Sequence, residues 1–208
     1  MTDATAEQPR LTRKGQATRE RILEAATGLI AVAGVAGTST EDVRRAAGVS
    51  GSQLSHYFGT KHALISAVIT RQADALTRPD APMSGLLDSL DALQAWADAA
   101  VAFQDQNIGR AGCTLGALAG ELSVADEQAR RDLNAGFLRW QDLLDSGLRA
   151  MRDRGELRGD ADPDELALTL ITALAGGNIM AQTMRDTRPL RVSLTAALAY
   201  VASFASPP

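Results

Sequence analysis

The chain has 208 residues, 45% hydrophobic and 22% charged, which is enough apolar material to bury a real core as one or two domains. One cysteine, Cys113, excludes an intramolecular disulfide, and with only two histidines (His56, His62) a zinc site built on thiolate and imidazole is not expected. The net charge of −4 divides unevenly, since residues 1–78 carry ten Lys/Arg against seven Asp/Glu while residues 79–208 carry eleven against eighteen; a mildly basic front on an acidic body suits a chain whose one end meets phosphate.

The N-terminal stretch MTDATAEQPRLTRKGQ is polar and aperiodic, without the apolar core of a signal segment. It predicts a loose basic arm over residues 1–15 carrying Arg10, Arg13 and Lys14. With no apolar run near the length of a membrane span, the expectation is a soluble, cytoplasmic protein with no membrane partner. From Thr18, TRERILEAATGLIAVAG places Ile22, Ala25, Ala26, Leu29, Ile30 and Ala33 on one face of a helix that Gly34 stops. In TSTEDVRRAAG, Ser39 stands three residues before Asp42, a capping pattern that opens a short helix with Val43, Ala46 and Ala47 inward. Gly48 ends that helix, Val49 plugs the turn, and GSQLSHYF forms a second short helix. Lys61 to Arg78 is periodic again through Leu64, Ile65, Val68, Ile69 and Leu76.

Two short helices joined by a glycine turn and backed by a longer first helix make a helix-turn-helix. Leu54 and Phe58, one turn apart, anchor the second short helix, which frees Ser52, Gln53, Ser55 and His56 to face a groove. Side chains at the start of such a helix read base edges, and a glutamine pairs bidentately with adenine. Lys61 opens the next helix, where a lysine gains nothing from the helix dipole, so a phosphate partner is indicated. Arg44 and Arg45 fit either a solvated face or a DNA contact. His56 fits a surface position, packing on the first helix, or DNA. Tyr57 fits either the apolar plug beside Phe58 or a phosphate contact through its hydroxyl.

Beyond RPDAPMSG (residues 78–85), the best linker candidate, amphipathic helices are expected at about 84–107, 113–123, 126–154, 163–184 and 189–205. No alternating strand pattern occurs, so the fold class is all-α. The large side chains Trp96, Phe103, Phe137 and Trp140 concentrate on two helices, an arrangement that fills a core or encloses an apolar cavity. Asn178 and Met180 join them as candidate ligand contacts. Cys113 reads as a small buried hydrophobe. LALTLITALAGGNIMAQ is apolar around most of its circumference and, with VSLTAALAYVASF, asks for cover on both sides. A C₂ dimer through a four-helix bundle supplies it, with Leu170, Ala173, Leu174, Gly177, Leu194, Leu198 and Val201 as the expected interface.

The segment TRERILEAATGLIAVAG…TSTEDVRRAAGVSGSQLSHYFGTKHAL, residues 17–66, resembles the N-terminal domain of TetR-family transcriptional repressors, including the AAGVS turn, the HYF close and Lys61. GCTLGALAGEL and GGNIMAQTMRDTRPLR are similar to the body of a subgroup near flavonoid- or drug-responsive repressors. The resemblance implies a helix-turn-helix DNA-binding domain over 16–66 and a helical ligand-binding and dimerisation domain over 67–208. It assigns Thr40 a phosphate contact, Gly51, Ser52, Gln53 and Ser55 the base-facing positions, and Tyr57 and Lys61 the backbone phosphates. The family often carries an aromatic where Ser55 stands, and a glycine just before position 53, where this chain has Ser52 with its glycine at 51. Those departures bear on the operator sequence.

The resemblance thus implies a homodimeric repressor on a palindromic operator in double-stranded DNA, released by a small, mostly apolar inducer and needing no cofactor. Two rivals have different signatures. An all-helical enzyme would need a nucleophile, base and orienting group together, and both histidines lie in or beside the DNA motif. An architectural protein that coats DNA would carry far more positive charge.

Overall fold

The computed structural model describes residues 11–77, 85–108 and 114–207. Arg10, Cys113 and all of the linker candidate but Gly85 lie outside them. Four helices precede the linker region, namely α1 (Arg13–Ala33), α2 (Thr40–Ala47), α3 (Gly51–Phe58) and α4 (Lys61–Thr77). Five follow it: α5 (Leu90–Asn107), α6 (Thr114–Leu122), α7 (Glu127–Asp153), α8 (Pro163–Met184) and α9 (Arg188–Ala202). The described residues contain no strand, only a single antiparallel bridge between Leu157 and Ala205.

Helix α1 starts earlier than its apolar periodicity announces. The hydroxyl of Thr12 accepts from the Gly15 N–H at 3.2 Å and caps the helix, so Arg13 and Lys14 belong to its first turn and not to a loose arm. Its inner face (Ile22, Leu23, Ala26, Ile30) meets Val43 and Ala47 of α2, Val49 of the turn, Phe58 of α3, and Leu64, Ile65 and Val68 of α4. Full burial of each such aliphatic side chain stabilises the fold by about 1.5–3 kcal/mol. Ala46, expected inward, is exposed: in an eight-residue helix Val43 and Ala47, one turn apart, already occupy the buried stripe.

Helix α4 runs unbroken through the expected domain boundary at 66/67. Val68, Ile69 and Ala73 are fully buried, and α4 packs along α7 more extensively than along any other helix. At the crossing, a β-carbon on Gly136 of α7 would stand 3.2 Å from that of Ala73. The small residue is what lets the two axes approach.

Helices α8 and α9 form the tightest pair. A β-carbon on Gly177 would stand 2.8 Å from the Leu190 Cα, and the Ser193 hydroxyl donates to the Ala173 carbonyl at 2.9 Å. Among the described residues, α8 is the one helix long and apolar enough to cross a membrane by length and composition. Its Leu166, Leu170 and Leu174 are instead buried in the protein's own core.

This burial corrects the expected interface between copies. Leu170 is 0% exposed, Leu174, Leu194, Leu198 and Val201 are buried, and Gly177 is sealed against α9. Only Ala173 reaches the surface, at half burial. The most apolar positions face the chain's own core. The other side of the pair is an open groove where Leu168, Thr172, Ala173, Ala196 and Tyr200 are among the lining residues.

Candidate nucleic-acid interface

The helix-turn-helix is set by local chemistry. Ser39 caps α2, its hydroxyl accepting from the Asp42 N–H while the Asp42 carboxylate accepts from the Ser39 N–H. The Ser39 hydroxyl also donates to the Asp42 carboxylate, and this bond together with the one from the Ser39 N–H lowers the Asp42 carboxyl from its usual value, with Arg45 adding to the effect. Gly48 closes α2 with φ +62°, a left-handed conformation that a side chain strains. Ser50 then opens α3 with a second capping box. Its hydroxyl accepts from the Gln53 N–H at 3.1 Å, and Gln53 Oε1 accepts from the Ser50 N–H at 2.9 Å.

Phe58 is buried and Leu54 half-buried against the core, so α3 is held from below. Gly51, Ser52, Gln53, Ser55 and His56 are exposed along α3, with Thr40 at the start of α2 and Lys61 at the start of α4 exposed as well. This is the polar face the sequence predicts. A β-carbon on Gly51 or Gly48 would meet nothing within 4 Å, so another molecule could approach the backbone closely there.

Several of the predicted contact residues have partners that the sequence did not disclose, Ser52 among them through the Ser50 hydroxyl at 2.9 Å. Gln53 spends its Oε1 on the capping box and must leave it to pair bidentately with adenine. Arg44 holds Glu41 through Nε and Nη2 at 2.8 and 2.6 Å and gives Nη1 to the Val49 carbonyl at 3.2 Å, bracing the turn. The Glu41 carboxylate raises the Arg44 guanidinium above its usual value and is itself lowered by it. Lys61 donates Nζ to the Val35 carbonyl at 2.8 Å, so part of the partner it needed lies inside the protein. Two of its three donor hydrogens remain for a phosphate. Tyr57 is half-buried, edge-on to His56 with ring centroids 5.1 Å apart, and its hydroxyl lies 3.4 Å from where a β-carbon on Gly15 would stand.

Sequence reasoning missed two acidic residues behind this face. Glu121, at the end of α6, accepts from the Val35 N–H at 2.9 Å and from the Ala36 N–H at 2.7 Å. Asp126, the N-cap of α7, pairs with His62 in the first turn of α4. A glutamate in a C-terminal turn opposes the helix dipole, and that was the available sign that Glu121 answers to another element.

A narrow apolar gap lies deeper in the C-terminal helices, walled by Leu87, Trp96, Trp140, Leu144, Ile171 and Leu174 among others. Trp140 donates its indole N–H to the Ala73 carbonyl of α4, and Phe137, half-buried, stands edge-on to it at 5.9 Å. Phe103 (50% exposed) and Met180 (55% exposed) are not brought to this gap. Asn178 is not in its wall either and donates to the Leu174 carbonyl of its own helix.

A family description for bacterial regulatory proteins of the tetR family matches residues 22–68, the helix-turn-helix and its flanks. A second, for the tetracyclin repressor-like C-terminal domain, matches residues 89–197, more than half of the chain. The chain belongs to the TetR family. TetR regulators of known structure share its fold along nearly their whole length. One from Chloroflexus aurantiacus J-10-FL is 26% identical with a TM-score of 0.79, covering 93% of this chain and 98% of its own. The regulatory protein TetR from Rhodobacter sphaeroides is 23% identical with a TM-score of 0.77, covering 88% and 98%. NemR of E. coli in its reduced form is 26% identical with a TM-score of 0.68, covering 92% and 98%. No curated protein matches the chain. The chain is therefore a DNA-binding transcriptional regulator of the TetR family, and α3 lies within the stretch that the N-terminal description matches.

Proposed function

We propose that this TetR-family regulator is a homodimeric repressor that binds a palindromic operator and is released by a small, mostly apolar ligand. The observation that carries the reading is the exposed row of short polar side chains on α3, held from below by Leu54 and Phe58. In this reading Ser52, Gln53 and Ser55 meet base edges, while Thr40, Tyr57, Lys61 and, less centrally, His56 and Arg44 meet the phosphate backbone. Residues 16–66 carry the reading head and 67–208 the ligand and dimer functions, with α4 shared between them.

Two further features support the remaining parts. The open groove on α8 and α9 suits a second copy because its wall mixes Leu168, Ala196 and Tyr200 with Thr172, and a C₂ four-helix bundle would spread two heads about 34 Å apart, one turn of DNA. The gap beside Trp96 and Trp140 has apolar walls, and the Trp140 indole already has its acceptor, so an uncharged guest suits it. A guest that binds better when α4 has shifted would weaken operator binding, and one with equal affinity for both arrangements would not. The protein acts where its operator is, in the cytoplasm, and needs no cofactor.

The test is selection from random duplex DNA at fixed moderate salt, with Gln53→Ala alongside. An enriched inverted repeat, read less strictly by the variant, is the expected result. Binding without enrichment that fades as salt rises would instead describe a non-specific DNA coat.

A further inference from the structure

The turn between α1 and α2 presents two successive backbone N–H groups, from Val35 and Ala36, to one carboxylate. Consecutive amides converging in this way form an anion-binding concavity. Its occupant is Glu121, which stands 86 residues beyond Val35 in sequence and takes one N–H on each oxygen, at 2.9 and 2.7 Å. Gly34, with φ +71°, shapes the turn, and a β-carbon there would stand 3.1 Å from a Glu121 oxygen. The same turn is held from the opposite side by Lys61 Nζ on the Val35 carbonyl and internally by the Thr38 hydroxyl on the Gly34 carbonyl at 2.8 Å. Asp126, just past the α6–α7 corner, grips His62. The corner thus touches the reading head at the α1–α2 turn and at the start of α4.

The geometry gives these contacts different work from that of α4. Helix α4 packs lengthwise on α7 and so fixes the line along which the head is mounted. A single helix constrains rotation about its own axis poorly, because contacts near the axis have little leverage. The Glu121 contact is off that axis, on a turn belonging to α1 and α2. It fixes the rotation.

We infer that Glu121 is a specificity-determining positioning residue that sets the spacing between half-sites the protein accepts. This rests on the dimer and palindrome reading above. Lengthening the spacer by one base pair turns the second half-site by about 35° and moves it ~3.4 Å along the axis, so spacing is read only by heads held against rotation. Without the clamp, each head still reads its own bases through α3 but swings to meet a displaced half-site. Glu121 touches no DNA and acts through the turn it holds.

The experiment uses the full chain and the half-site recovered by selection, in duplexes whose spacer is changed one base pair at a time. Wild type is expected to prefer one spacer. Glu121→Gln, which keeps one acceptor oxygen, is expected to compress the ratio between that spacer and its neighbours about tenfold, the effect of losing one charge-assisted hydrogen bond, and Glu121→Ala, which loses both, at least as much. Base preferences within the half-site are expected to stay near wild type, and the unfolding midpoint is expected to fall only slightly because Glu121 lies on an exposed helix face. Asp126→Asn keeps an acceptor for the α7 cap but loses the His62 pair, and is expected to compress the ratio less. Added acetate can fill the concavity but cannot tether the head, so it is expected not to restore the ratio in Glu121→Ala. A variant that keeps the wild-type ratio, or one restored by acetate, would overturn the inference and leave the operator reading standing. A wild type indifferent to spacing would overturn both.

Discussion

Trp140 reaches from α7 to donate its indole N–H to the backbone carbonyl of Ala73 at 3.1 Å, so one side chain both walls the apolar gap and holds the helix on which the DNA-reading head is mounted. Trp140→Phe keeps most of the bulk and loses the bond. It is expected to lower stability by about 1–2 kcal/mol, while Trp140→Ala, which also opens a cavity, is expected to cost about 3–5 kcal/mol. Urea denaturation of both variants measures the difference.

Gln53 closes the capping box of α3, and in the proposed reading it also meets a base edge. Gln53→Glu separates them, because glutamate suits the third helical position of a capping box yet turns a negative charge toward DNA. The variant is expected to melt at or slightly above wild type while losing operator affinity. Gln53→Ala is expected to cost about 1–3 kcal/mol of discrimination at one base position of each half-site. Thermal melts paired with fluorescence anisotropy on matched and mismatched operators check both.

The reading head was legible because its signals are local. Ser39 with Asp42, the glycine at 48, and Leu54 with Phe58 each act within a turn or two, and each does in the structure what its spacing says. The C-terminal helices were legible as helices but not in their facing. A helix apolar on all sides does not say which side is its own core, so Leu170 and Leu198 read as interface when they are interior. Phe103 and Gln104 show the same limit: the glutamine takes the buried position and the phenylalanine is half exposed, the reverse of what hydrophobicity ranks. Glu121 and Val35 are 86 residues apart in sequence, and only the fold brings them together.

The surface and interior of α8 can be told apart by charge. Leu168→Glu, on the exposed wall of the groove, is expected to leave the fold of one chain within about 0.5 kcal/mol of wild type and to shift sedimentation from dimer to monomer. Leu170→Glu buries an unpaired carboxylate and is expected to prevent folding altogether. A dimer that survives Leu168→Glu would move the interface elsewhere.

Gly177→Ala tests the α8–α9 seam. Its new methyl would meet the Ser193 hydroxyl and the Leu190 backbone, so the helices must part, at an expected cost of about 1–3 kcal/mol. Gly48→Ala strains only the backbone and is expected to cost about 1–2 kcal/mol. Because the α8–α9 pair carries the groove, the first variant is also expected to weaken dimerisation and the second is not. Equilibrium unfolding with sedimentation at several concentrations distinguishes them.

Acid should loosen α2 first at its N-terminus. Asp42 titrates below its usual value because it is hydrogen-bonded to Ser39, so its contribution is complete above the ordinary aspartate range and is lost as pH falls through the lowered value. Hydrogen exchange at the Ser39 amide, whose acceptor is that carboxylate, is expected to lose protection over that interval, and Asp42→Asn is expected to flatten the response.

The apolar gap is narrow as it stands, and one of its walls is roped to α4. In the proposed switch a guest has to widen the gap before gaining its full contacts, and it releases the operator only where the operator-bound form resists that widening more. By thermodynamic reciprocity, operator DNA weakens the guest by the same factor with which the guest weakens the operator. The dose at which such a switch turns is then a property of how tightly the interior is packed. Trimming Leu143, at the edge of the gap, would retune the alarm threshold without altering a single group that meets DNA.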